Sequence, residues 1–351
     1  MRETTNVVHI DPLTDALWSK LLEHQPHSLF HSPLWLQVLH QTYQMNIEAN
    51  VLLNDRDEPQ AGIHFCRISD IRGQRIISLP FSDYCDPLVS DDAQWHDLAE
   101  PLMRQQLPMN MRCLHNDIPL SDAQFEQVKR AKWHEIDLAG DEDALLARIE
   151  SSARRAIRKA EKSGVTVRLA ENEDDVRAFF QLHLGIRKYK YRLLAQPYAF
   201  FQNIWQIFSE AGKAALMLAC VDDEVIGSVM YLGWGSTLYY KFSASSAAHL
   251  EHRPTDLLIW EGMKYARSHG YQFLDLGLSD WDQEGLVRYK RKFATEEGTI
   301  SFLQHQVERT ISPQERAVPE LLSTFTDLLT DPSVPDELTE RAGDAIYRYF
   351  V

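Results

Sequence analysis

The chain repeats its own pattern. In the first half, residues 47–53, 61–68 and 75–79 read as three strands, joined by the polar turn 54–60 and by Ile71-Arg-Gly73. In the second half, residues 213–221, 225–232 and 237–242 read the same way, with Asp222-Asp223-Glu224 as a tight turn. Alternation of apolar and polar residues, broken by turn chemistry, makes each triplet an antiparallel meander. Helical segments precede each one, at 15–23 and 34–43 and again at 173–189 and 198–211. A helix and a further strand follow each, 92–105 with 111–115 and 254–268 with 271–276. Helix, helix, meander, helix, strand, twice in one order, implies a duplicated α/β domain.

A length of 351 residues suits two domains. The expected division is 1–150, 151–307 and a C-terminal helical tail at 308–351, with the boundary near Asp141 to Ser152. The tail holds eight acidic residues against three arginines from Glu315 onward. Leu321, Phe325 and Leu328 are expected to pack it onto the body. Hydrophobic residues make up 44% and charged residues 25%, which excludes a disordered or collagen-like chain. A formal charge of -15 argues against a coat for duplex DNA. The longest apolar run, Ala214 to Val221, is strand length, so no membrane-spanning helix is expected. The N-terminal segment MRETTNVVHIDPLTD has no apolar signal core. Cys66, Cys85, Cys113 and Cys220 form no CxxC, which reads as buried reduced thiols. These features together predict a cytoplasmic protein. Histidines fall in no HExxH, and GxSxG, P-loop and GxGxxG patterns are absent, so no metal is expected.

The clearest chemical signal is the segment Ser151 to Gly164. Serine suits its start and Gly164 its end. On a helical wheel Arg154, Arg155, Arg158, Lys159 and Lys162 fall on one arc, opposite Ala153, Ala156, Ile157 and Ala160. Residues 151–192 carry eleven basic against five acidic residues, a local charge of +6. Like charges at i,i+4 repel by a few tenths of a kcal/mol per pair. A bound anion removes that cost. Two further basic runs follow, Arg187 to Arg192, where cations alternate with tyrosines, and Arg288 to Lys292 after the final strand. Together the three runs suggest a phosphorylated donor or acceptor.

Five segments in order make the chain resemble the FemAB-like branch of the GNAT superfamily, including acetyltransferase domains found with exopolysaccharide and cell-envelope genes. They are His31-Ser-Pro-Leu-Trp35, Leu79-Pro-Phe-Ser-Asp-Tyr84 and the basic helix closing on Lys162-Ser-Gly-Val165. Next comes Leu182-His-Leu-Gly-Ile-Arg187, with Phe200-Phe201 downstream. Last is Phe273-Leu-Asp-Leu-Gly277, followed by Ser279, Gly285-Leu286 and Tyr289-Lys290. The resemblance implies two tandem GNAT-like domains, each a mixed, largely antiparallel sheet flanked by helices, with the helical tail appended.

It also implies N-acyl transfer. An amine attacks the carbonyl of an acyl-CoA or an aminoacyl-tRNA, and a tetrahedral oxyanion forms and collapses. Lys290, at the family's Phe/Tyr-Lys position, is expected to stabilise charge. Tyr239 or Tyr240 would give a proton or orient the carbonyl, and alternation lets only one face the site; Tyr240 is preferred. Asp83 would accept a hydrogen bond from the amine. Arg154, Arg155, Arg158, Lys159, Arg187, Tyr84, Asp275 and Ser279 are the expected binding residues, the last two at and just past a strand end. The expected acceptor is an amine on a small molecule, glycan or peptide, with tRNA as a candidate partner. One departure stands out. The glycine-rich loop that cradles a pyrophosphate at a helix start in simple GNAT domains is replaced by Ser245-Ser-Ala-Ala-His-Leu-Glu-His-Arg-Pro254, without glycine. That departure keeps a second class open, a non-catalytic scaffold that binds a phosphorylated glycan precursor or a partner protein.

Overall fold

The computed structural model describes residues 6–309 and 311–350. The first repeat runs β1 (Asn6–Ile10), α1 (Ala16–His24), α2 (Pro33–Tyr43), β2 (Ile47–Leu53), β3 (Pro59–Asp70), β4 (Gly73–Ile77), α3 (Asp92–Met103), β5 (Met109–Cys113), α4 (Ile118–Ser121) and β6 (Glu126–Asp137). Two helices follow, α5 (Glu142–Arg148) and α6 (Ser151–Lys162). The second repeat runs β7 (Thr166–Leu169), α7 (Glu173–Gly185), α8 (Tyr198–Glu210), β8 (Ala214–Val221), β9 (Glu224–Trp234), β10 (Thr237–Ser245), α9 (Pro254–Ser268), β11 (Phe273–Asp280), α10 (Glu284–Arg291) and β12 (Glu296–His305). The tail is α11 (Pro313–Leu329) and α12 (Asp336–Ile346).

The chain divides into two compact units, residues up to Lys132 with Gly298–Pro319, and Trp133–Glu297 with Glu320–Phe350. Position 150, the expected division, lies inside the second unit between α5 and α6. In the first unit β1 to β4 pair antiparallel in sequence, and β4 pairs parallel with β5 after the α3 crossover. Ser301–His305 of β12 then pair antiparallel with Met109–Cys113. In the second unit β7 to β10 pair antiparallel, and β10 pairs parallel with β11 after the α9 crossover. The duplicated α/β architecture is therefore present, with mixed sheets and helices in both units.

Local chemistry explains the second unit. Asp222 and Asp223 both hold left-handed φ, 47° and 67°, forming a two-residue hairpin whose twist suits the strands it joins. The basic helix α6 buries Ala153, Ile157 and Ala160. Gly164, at φ 77°, ends it. Its N–H donates to Glu161 O and the Val165 N–H to Ala160 O, satisfying the last carbonyls. Ser151 begins this helix; it does not cap it. Leu238, Leu274, Leu276, Leu258 and Met263 join the apolar face of α6 in one core. Phe179, Phe180, Phe200, Phe201 and Phe208, from α7 and α8, are fully buried as a second aromatic cluster. All four cysteines are buried and unbridged.

The tail differs from expectation in which face it buries. Leu321, Phe325 and Leu328 are exposed, whereas Val318, Leu322, Thr326 and Thr330 are buried. Thr326 and Thr330 can occupy that face because each hydroxyl donates to the carbonyl four residues back, 2.8 and 2.7 Å away. Among the described residues no helix is long and apolar enough to cross a membrane.

Gly262 of α9 lets the fully buried Tyr231 ring pass. A Cβ there would stand 2.3 Å from Tyr231 Oη, which donates to Leu258 O at 3.0 Å. Gly262→Ala is expected to destabilise the protein by about 1–3 kcal/mol, read as a lower urea midpoint with an unchanged slope.

Candidate functional site

The second unit has a place where its ladder opens. β10 and β11 pair only over Thr237–Tyr239 and Phe273–Asp275, although β10 continues to Ser245 and β11 to Asp280. Each strand carries an irregularity where pairing ends. On β10 a bulge falls between Tyr240 and Phe242. It breaks the alternation: Tyr240 packs 5.7 Å from the Tyr231 ring, while Phe242 turns to Phe200, Phe201 and His183 of the aromatic cluster. On β11 Gly277 takes φ 70°, which glycine adopts without strain. Parting strands leave peptide groups in need of partners, and bulges of this kind recur beside active sites.

Lys290 meets this opening. It is 6% exposed, and its ammonium donates to Gly277 O at 3.0 Å and Leu278 O at 2.8 Å. Asp275 shapes the same turn, accepting from Gly277 N at 2.5 Å and from Trp133 Nε1 at 2.9 Å. Asp275 and Ser279 thus lie within β11, not at its end, and both are buried. The Ser279 hydroxyl is buried without a hydrogen-bond partner. Tyr240 hydrogen-bonds Ser243, and burial pushes its hydroxyl up to about 12, so it stays a proton donor at neutral pH. Tyr239 points the other way, in register with Asp275.

Beside α10 lies a cavity of about 320 Å³ lined by Ser152, Arg155, Ala156, Lys159, Arg253, Asp256, Tyr289 and Lys292. Four cations meet there, from α6, from the start of α9 and from the end of α10. Arg253 immediately precedes α9 with φ 59°, and Pro254, which has no N–H, opens that helix, so the cations gather where the N–H groups of Thr255 and Asp256 have no carbonyl partner within the helix. Asp256 is buried on the first turn, and burial raises its carboxyl while Lys292 and Arg253 oppose the rise. The Tyr289 hydroxyl is buried without a partner.

The predicted binding residues divide. Arg155 and Lys159 line the cavity. Arg154 instead turns back to α5, donating to Ala147 O at 2.8 Å and Ile149 O at 2.9 Å. Arg158 is exposed outside the cavity lining. The second basic run does not join the first. Arg187 donates to Leu194 O at 2.9 and 2.8 Å, the buried Lys188 ammonium pairs with Asp336 at 2.7 Å, and Arg192 donates to Thr330 O. The third run does reach the cavity, through Tyr289 and Lys292; it forms α10, before one further strand. Asp83 and Tyr84 belong to the first unit, where Tyr84 is buried edge-on to Phe30 and His115. Sequence reasoning missed Arg253 and Asp256. Their signal was present only as isolated charges around Pro254.

In the first unit His31, His64 and Cys85 bring possible ligand atoms within 4.8 Å. They are engaged with the protein itself. His31 Nδ1 receives the Ser28 N–H, His31 Nε2 meets Asp86 O at 2.8 Å, and His64 Nε2 lies 3.0 Å from Cys85 Sγ. Burial lowers the His31 imidazole to about 4 and raises the Cys85 thiol.

Comparison with known proteins bears on the fold that holds this site. Residues 147–291 match the acetyltransferase (GNAT) domain family. A comparison with curated proteins gives no match. Among solved structures, FemX is similar at 15% identity and TM-score 0.66, over 90% of this chain and 99% of that one. L-PGS from Bacillus licheniformis is similar at 12% identity and TM-score 0.54, over 92% and 98%. A tandem GNAT protein from the clavulanic acid biosynthesis pathway is similar at 11% identity and TM-score 0.56, over 88% and 100%. The match to the GNAT acetyltransferase domain thus falls within the second unit. The chain as a whole shares its fold with FemX and with the tandem GNAT protein.

Glu135 on β6 titrates unusually beside this site. Burial first, then the charges of Asp275, Glu296 and Asp137, raise its carboxyl from 4.5 to about 8. The folded chain keeps this proton to about pH 8 while the unfolded chain releases it near 4.5, so stability falls as pH rises across that window. Glu135→Gln is expected to raise the urea midpoint most at pH 8–9 and to leave it unchanged near pH 4.

Proposed function

We propose that the second unit takes an acyl or aminoacyl group from a phosphate-bearing carrier, acyl-CoA or aminoacyl-tRNA, and delivers it to an amine on a glycan or peptide. The observation that carries this is the cavity of four cations beside α10, the helix that also carries Lys290. Phosphate bound there leaves the carrier's reactive end to reach the opening between β10 and β11. Lys290, fixed by two carbonyls, stabilises the oxyanion as it forms. Tyr240 gives its proton to the leaving oxygen or sulfur, and the phenolate so formed takes up the proton that the attacking nitrogen sheds, which restores the phenol. One neighbour of similar fold, a putative lysylphosphatidylglycerol synthetase domain from Agrobacterium fabrum, is named for a lysyl-bearing lipid, which supports aminoacyl transfer to an envelope component.

The non-catalytic alternative drew on the missing glycine cradle. Side-chain cations at the start of the same helix supply the positive charge that a glycine loop supplies through backbone N–H groups, so the missing cradle no longer favours it.

The test is a transfer panel of acyl-CoAs and aminoacyl-tRNAs against amino sugars and peptides, with donor binding followed by thermal shift. Donor at 100 times Kd should add about 2.7 kcal/mol of stability. Lys290→Ala should lower kcat by about 10²–10³, the effect of losing one oxyanion donor, with donor Kd retained. Arg155→Glu with Lys159→Glu should raise the donor KM by about tenfold or more, with kcat little changed. Full activity in both variants would refute the assignment.

A further inference from the structure

A cavity built only to hold phosphate would not contain a buried carboxylate. Asp256 lines this one, and its negative charge repels any phosphate drawn in by Arg155, Lys159, Arg253 and Lys292. Its carboxylate accepts from its own backbone N–H and feels Lys292 and Arg253 through space. A carboxylate can only accept hydrogen bonds, so the group it faces in a ligand must donate. Ammonium would donate, but four cations line the same walls and repel it. A neutral donor remains, and beside the phosphate of a nucleotide carrier the nearest such donor is a ribose hydroxyl. The Tyr289 hydroxyl, buried in the same lining without a partner, adds a second uncharged hydrogen-bonding group that can serve a polar ligand atom. From this juxtaposition we infer that Asp256 reads a ribose hydroxyl adjacent to the bound phosphate, which makes the cavity a ribonucleotide site and not a general anion site. The inference rests on the proposed donor role of the cavity, and adds the residue that selects the carrier's sugar.

The shared chemistry is a ribose hydroxyl beside phosphate, found both in coenzyme A and at the CCA end of tRNA. Titration calorimetry of the full chain with ADP, 2′,3′-dideoxy-ADP and inorganic pyrophosphate tests it. ADP should bind about tenfold more tightly than either of the others, the effect of a hydrogen bond to a charged group. Asp256→Ala should bring the three affinities together, weakening ADP while strengthening pyrophosphate, because acceptor and repulsion leave at once. An Asp256 that serves only as a buried counter-charge to Arg253 and Lys292 would shift all three ligands alike, which overturns the inference. Equal binding of the three ligands by the unaltered protein also overturns it, and needs no variant to fold. So does ADP binding that is untouched by Arg155→Glu with Lys159→Glu, which would place the nucleotide elsewhere. Tyr289→Phe should weaken ADP and leave pyrophosphate unchanged. Competition of ADP by coenzyme A or by a CCA-ended oligonucleotide identifies the source, and either supports the inference. The expected ADP pattern without any acyl transfer would refute the transferase reading alone.

Discussion

The early end of the β10–β11 ladder is the constraint on which the site depends. Parallel strands that stop pairing inside a fold leave N–H and C=O groups without partners, which costs free energy unless something else bonds them. Here the parting is built in. The bulge after Tyr240 turns one strand, Gly277 turns the other, and Asp275 holds the turn from the Gly277 N–H to the Trp133 indole. Lys290 then takes up two of the carbonyls. A lysine in that position is structural and chemical at once: the contacts that fix its ammonium also place a positive charge at the opening.

The first unit has the same order of elements and a comparable parallel pair, yet it fills the corresponding place itself. Asp86 is buried, and one of its carboxylate oxygens accepts from the N–H groups of Leu114, His115 and Asn116, just past β5, at 2.8, 3.0 and 3.0 Å. Peptide groups that a ligand could have bonded are satisfied by the chain. Duplication has thus produced one copy closed by its own carboxylate and one left open beside four cations.

The repeat was legible because meanders and crossover helices are local: alternation, the Asp222-Asp223 turn and Pro254 at a helix start all act within a few residues. The tail face was misread because helix burial follows geometry more than hydrophobicity. Thr326 and Thr330 satisfy their hydroxyls within the helix and pass as apolar, leaving Leu321 and Phe325 outside. At the site, the density of cations on α6 was informative for Arg155 and Lys159. A run of cations reads the same whether it meets a ligand or the chain's own carbonyls. Arg154, Arg187, Lys188 and Arg192 proved to be of the second kind, held by α5, by Leu194 O and by the tail. Arg253 and Asp256 carry their meaning only through the three-dimensional meeting of α6, α9 and α10.

Charge then decides what kind of carrier the cavity suits. The chain carries -15, while the cavity lining carries four positive side chains and one negative. At physiological salt a charge is screened over about 8 Å, so the cavity attracts at short range and the acidic remainder repels a long polyanion. On the proposed reading, that balance favours a carrier by its terminal phosphate and sugar more than by its length. Selection of this kind combines an attractive pocket with a repulsive surround. On the proposed reading, an anion in the cavity offsets the repulsion between Arg155 and Lys159, while Arg154 of the same helix is satisfied by the carbonyls of Ala147 and Ile149.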